Sequence, residues 1–130
     1  METTWKEQTL ETIEQRSWPE PDFDDHTGQR LYALWRTPLA RFTVEDIRLL
    51  IAHKAALSHL VPLAIEKLGG NLFAEGDFYP GDLLQSVLTI DPEFWYANRP
   101  LWSSVYELIR YRDWELEERG IRADGFLELS

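Results

Sequence analysis

The sequence predicts an all-α fold, a single compact domain of about six or seven short helices. Apolar residues recur at three- and four-residue spacing through most of residues 29–119, the period of a helix with one buried face. Thr, Ser, Asp, Pro and Gly stand where such segments would start and stop. No long alternation of Val, Ile and Thr competes with this pattern, apart from the weak tail Gly125-Phe126-Leu127-Glu128-Leu129.

The first helix is expected at about residues 4–16, where Trp5, Thr9, Leu10 and Ile13 share a weakly apolar face. The stretch 17–28, Ser-Trp-Pro-Glu-Pro-Asp-Phe-Asp-Asp-His-Thr-Gly, reads as a loop because two prolines and three aspartates favour turns. Residues 29–36 place Leu31, Leu34 and Trp35 on one face, and Thr37-Pro38 stops that helix by restricting Thr37 away from the α region. Thr43 then caps a helix whose first turn holds Glu45 and Asp46, two acids suited to the positive end of the helix dipole. Ile47, Leu50 and Ile51 are its buried stripe.

Ser58 is the expected cap of the next helix, with Pro62 in the first turn, Leu60, Leu63, Ala64 and Leu68 inward, and Gly69-Gly70 as the stop. Pro80-Gly81-Asp82 opens another, facing Leu83, Leu84, Val87 and Leu88 inward, and Asp91-Pro92 restarts the chain as cap and first helical residue. A short aromatic turn, Phe94-Trp95-Tyr96, follows. Residues 100–119 form the longest expected helix, with Leu101, Val105, Leu108 and Ile109 as its stripe and Gly120 as its C-terminal cap. Four of the six tryptophans are expected in the core.

A chain of 130 residues with 44% hydrophobic side chains can bury a core without disulfide or metal staples. With 13 basic against 23 acidic residues the net charge is −10, which disfavours direct contact with nucleic acid or anionic lipid. The absence of cysteine removes thiolate catalysis and sulfur-based zinc sites and fits a reducing compartment. The amino terminus lacks a basic and apolar leader, and no apolar run approaches the roughly 18 residues of a membrane span, so a cytoplasmic protein is expected.

The chemistry-bearing residues do not assemble into a catalytic set. His53 and His59 are not at zinc-pair spacing and read as surface or capping histidines. Asp22, Asp24 and Asp25 lack calcium-loop spacing, and Asp82 is explained by a helix start. There is no nucleophile elbow, phosphate loop or dinucleotide fingerprint, so neither catalysis nor a cofactor or metal is expected. Six tryptophans in an acidic helical domain suit a protein-binding module, an inhibitor of a basic partner or an adaptor. A hydrolase using the carboxylates of Asp22, Asp24 and Asp25, or of Asp77 and Asp82, with a divalent metal is the alternative from another class.

Four blocks in order carry a resemblance. They are Leu31-Tyr32-Ala33-Leu34-Trp35-Arg36-Thr37-Pro38-Leu39, Phe42-Thr43-Val44-Glu45-Asp46-Ile47-Arg48-Leu49-Leu50-Ile51, Leu60-Val61-Pro62-Leu63-Ala64-Ile65 and Glu75-Gly76-Asp77-Phe78-Tyr79-Pro80-Gly81-Asp82-Leu83-Leu84. Over roughly residues 10–110 the chain resembles bacterial contact-dependent growth inhibition (CDI) immunity proteins, and the Tyr-Pro-Gly-Asp-Leu-Leu run is the most specific piece. The segment 51–57 departs from the pattern, with Ala52-His53 where a Gln and a Gly are expected, which bears on where that helix ends. Residues 115–130 form a charged extension outside the resemblance.

The resemblance implies a cytosolic, non-enzymatic protein that binds the C-terminal domain of a cognate toxin delivered by neighbouring cells. A nuclease is the expected target, because a phosphate-binding groove is cationic and acids can occupy it. A monomer that pairs one-to-one with the toxin follows. The binding residues are expected at Trp18, Asp22, Phe23, Asp24, Asp25, Glu75 and Asp77, whose acids have no evident capping or packing duty, with Glu115, Glu117 and Glu118 as a competing surface. The motif turns themselves read as helix starts and stops, hence scaffold.

Overall fold

The computed structural model describes residues 4–130. Its elements follow in the order α1 (Leu10–Glu14), α2 (His26–Trp35), α3 (Val44–Ala52), α4 (Leu57–Gly70), α5 (Asp82–Leu88), α6 (Pro92–Ala97), α7 (Arg99–Ile109), α8 (Asp113–Glu118) and α9 (Asp124–Leu127). Single 3-10 turns occupy Thr4–Glu7 and Leu39–Arg41. No strand occurs among the described residues, so the fold is all-α.

The local signals explain most of these boundaries. Thr43 and Asp46 form a reciprocal capping box, with the Asp46 amide donating to Thr43 Oγ1 at 3.1 Å and the Thr43 amide to Asp46 Oδ2 at 2.9 Å. Gly81, at φ 96°, makes the left-handed step into α5, and Asp91-Pro92 opens α6. Gly120, at φ 71°, ends α8, after which the Ile121 amide returns to the Leu116 carbonyl at 2.9 Å.

Five expectations change. The helix expected over 4–16 is two pieces, because Thr9 caps α1 by accepting from the Thr12 amide at 3.2 Å. Helix α2 starts at His26 rather than Gln29, because Asp25 supplies a cap inside the stretch expected to be loop. Helix α4 is entered through Ala56 in the left-handed region at φ 49°, so Ser58 is already helical and Pro62 lies in the second turn. The long helix over 100–119 breaks at Arg110-Tyr111-Arg112, where Tyr111 adopts φ 66° and turns α8 back so that Leu116 packs into the core. The tail read as a weak strand is α9, whose Phe126 is buried.

The core sits where α3 packs on α4 and α5, and α4 on α7. Leu50, Leu60, Val61, Leu83, Leu84, Val87, Trp95 and Val105 are all sealed from solvent there. Phe126 stacks on Trp102 at a centroid distance of 5.0 Å and meets Trp95 edge-on at 5.3 Å, and the Trp102 indole donates to the Phe126 carbonyl at 3.0 Å. Residues 115–130 thus add Leu116, Ile121, Ala123 and Phe126 to the core. Three tryptophans are buried, Trp35, Trp95 and Trp102, while Trp5 and Trp18 are packed against the core and Trp114 is exposed.

Candidate functional site

The loop before α2 divides into anchored and free residues. Trp18 packs on Trp35 with ring centroids 5.0 Å apart, and the Trp35 indole donates to the Arg16 carbonyl at 2.8 Å, so Trp18 fastens the incoming chain. Asp25 accepts from the Gly28 amide at 2.8 Å as the N-cap of α2. The expectation that none of these acids caps a helix therefore fails at Asp25. Asp22, Phe23 and Asp24 stand in solvent, Phe23 with 90% of its surface exposed. The Gln29 side chain binds the carbonyls of Asp22 and Phe23, shaping the turn from within the same segment.

The loop 75–81 is built differently. Glu45 and Asp82 are the two buried acids among the described residues, and both point into it. The Gly76 amide donates to Asp82 Oδ1 at 2.7 Å, the Asp77 amide to Glu45 Oε1 at 2.8 Å, and the Phe78 amide to Asp82 Oδ2 at 3.0 Å. Three successive backbone donors are thus taken alternately by carboxylates from α5 and α3. A methyl group on Gly76 would overlap Glu45 Oε1 and lie 3.0 Å from Asp82 Oδ2, so the motif's Gly-Asp step requires a residue with no side chain here.

Charge compensation comes from Arg48, one turn along α3. Its Nε and Nη2 donate to the two oxygens of Glu45 at 2.7 and 2.5 Å, a bidentate pair. That bond holds the Glu45 carboxyl below the usual carboxylate range, against the opposing effect of burial and with further help from the Asp77 amide. The Arg48 guanidinium also lies 4.6 Å from the centre of the Phe78 ring. Arg30, on α2, pairs with Asp46 at 3.0 Å and reaches Asp77 at 3.8 Å.

Of the residues singled out by sequence, Asp77 is therefore brought beside α2 through Arg30, five residues past the Asp25 cap, while Glu75 stays exposed where the loop closes in a bridge to Pro80. Around them Phe78 and Tyr79 are 66% and 42% exposed. Sequence reasoning missed Glu45 and Arg48, because an acid in a first turn is fully accounted for by the helix dipole. The three-residue Glu-to-Arg spacing beside the buried stripe was the available signal.

The carboxylates of Glu45 and Asp82 are engaged with amides and a guanidinium, so they organise backbone and are poorly placed to move protons. No group of three metal-ligating side chains gathers among the described residues. His53 is the C-cap of α3 and His59, on α4, faces Glu14 at 3.1 Å. No described helix is long and apolar enough to cross a membrane.

Residues 12–105 match the family model of CDI immunity proteins. The chain belongs to that family. The match runs from α1 into α7 and takes in the capping box, both buried acids and the whole of the loop 75–81. This immunity protein accordingly binds a cognate toxin protein, and its family is not catalytic in general. No curated protein and no solved structure matches the chain. Helices α8 and α9 of the immunity protein lie beyond the matched residues.

Proposed function

We propose that this immunity protein neutralises a nuclease toxin domain in the cytoplasm by binding it one-to-one and covering its phosphate-binding groove. The supporting observation is a surplus of ten negative charges, with Asp22, Asp24, Glu75 and Asp77 exposed to solvent on the two loops that flank Arg30. A groove that holds phosphate carries Lys and Arg, so such acids steer its approach and occupy it without chemistry. Phe23 adds an apolar contact on the first loop, while Trp18 and Asp25 keep that loop attached to α2.

The decisive experiment expresses the cognate toxin's C-terminal domain with and without the immunity protein. The expected outcome is restored growth, no protection from unrelated toxins, and complete loss of nuclease activity at one equivalent in vitro. A toxin that permeabilises membranes, or nuclease activity that persists in a stable complex, would overturn the occlusion reading. Because Asp25 is a helix cap, the acids to neutralise are Asp22 and Asp24. Their double change to Asn should slow association and flatten its salt dependence without moving the melting temperature.

A further inference from the structure

We infer that the loop 76–79 is the centre of the toxin-binding face, with Phe78 as its anchor and Glu45, Arg48 and Asp82 as positioning residues. The inference rests on the toxin-occlusion reading above and assigns the contact within it. The partner it fits is a cognate toxin domain presenting an apolar pocket bordered by Lys or Arg.

Taking carboxylates and a guanidinium out of water is unfavourable, and apolar residues of similar volume often serve a core as well or better. Here the compensating effect is local: three consecutive amides of an otherwise irregular segment are fixed in one geometry. The segment so fixed ends in Phe78, whose ring lies against Arg48 while 66% of its surface faces solvent. A large aromatic held in place before binding loses little conformational entropy on contact, the condition for an efficient anchor. Phe23 is more exposed, yet the turn that carries it is held by Gln29 and the cap of α2, with Trp18 fastening the chain further back, and no buried carboxylate fixes its amides.

The position of the loop supports the same assignment. On one side it meets α2 through Arg30 and Asp77. On the other, Phe73 lies under Arg119 at 4.6 Å and Arg112 at 5.8 Å, and Gly81 closes on Ile121, so the base of the loop is fastened to the segment holding α8. Tyr79 widens the apolar patch, Glu75 and Asp77 stand exposed at its border, and Arg30 offsets part of the Asp77 charge. An apolar centre with a charged rim is the anatomy of an interface hot spot, and the net charge of −10 selects a cationic partner.

The test measures binding kinetics of the cognate toxin's C-terminal domain against the full-length immunity protein and its variants. Phe78→Ala should raise the dissociation rate about 30-fold or more, the equivalent of roughly 2 kcal/mol, with an unchanged melting temperature. The Glu75→Gln, Asp77→Asn pair should mainly slow association. Asp82→Asn should speed hydrogen exchange at the Gly76 and Phe78 amides and weaken binding about tenfold, but add little to the loss in a Phe78→Ala background, because a positioning residue acts through the side chain it positions. Phe78→Ala alone decides the matter if Asp82→Asn fails to fold. Wild-type binding with Phe78→Ala within threefold of it overturns this inference and leaves the toxin-occlusion reading standing. Failure of the wild-type protein to bind overturns both.

Discussion

The Glu45 carboxylate, at the start of α3, accepts a hydrogen bond at 2.8 Å from the backbone amide of Asp77, 32 residues further along the chain. Glu45 thereby joins the sequence block that opens α3 to the block that precedes α5, and the same carboxylate is gripped by Arg48.

Replacing Glu45 by Gln should destabilise the protein by about 3 kcal/mol, because Arg48 loses its bidentate partner while remaining mostly buried. The carboxyl's pKa is lowered in the folded state, chiefly by the Arg48 bond, so its stabilisation is present above the unfolded value of about 4.3 and fades as pH falls through the lower folded value. Urea denaturation at pH 7 and at successive pH values below about 4.3 should show the gap between wild type and Glu45→Gln closing. A gap that stays constant to acid pH would refute the assignment.

Two glycines should respond in opposite directions to alanine. Gly76→Ala forces a methyl into the Glu45 and Asp82 oxygens and should cost about 1 to 3 kcal/mol. Gly69 lies inside α4, where an added methyl would meet nothing within 4 Å, so Gly69→Ala should stabilise by about 0.5 to 1 kcal/mol. Denaturation midpoints of the two variants on either side of wild type are the expected result.

Tyr111→Gly should also stabilise, by about 0.5 to 1 kcal/mol, because φ 66° is unfavourable for a tyrosine and natural for glycine. The ring is 81% exposed and its contacts are with the neighbouring Arg110, so little packing is lost. A lower melting temperature in this variant would show that the Arg110 contact outweighs the backbone strain.

Loss of the cap at Asp25 should be visible without any partner. Asp25→Ala should cost about 1 kcal/mol, whereas Asp25→Asn should cost much less, since an asparagine oxygen also accepts from the Gly28 amide. Equal melting temperatures for the two variants would count against the cap.

The helices whose ends are marked by residues acting locally are legible in the sequence. Thr43 with Asp46 through a capping box, Pro92 through its place at the start of α6, and Gly120 through its left-handed backbone each act within three or four residues, so their types and spacing are enough. The breaks at Ala56 and Tyr111 are not legible, because residues that disfavour a left-handed backbone are held in it by the packing of the helices they join. Glu45 and Asp82 illustrate the same limit for the candidate site. Each stands where a helix dipole alone accounts for an acid, and only the fold reveals that both carboxylates converge on one loop. Asp77 and Glu75 stand out by charge, yet the ring between their loop and α3, Phe78, carries no charge and gives no such signal.

The unequal burial of the six indoles gives the protein its own optical readout. Trp35 and Trp95 are wholly screened from water, whereas Trp114 on α8 is 66% exposed. Its emission should lie to the red of theirs, and collisional quenchers such as iodide should reach it first. A second protein settling against α8 would screen that quenching without any attached dye, while one confined to the α2 side would leave it unchanged.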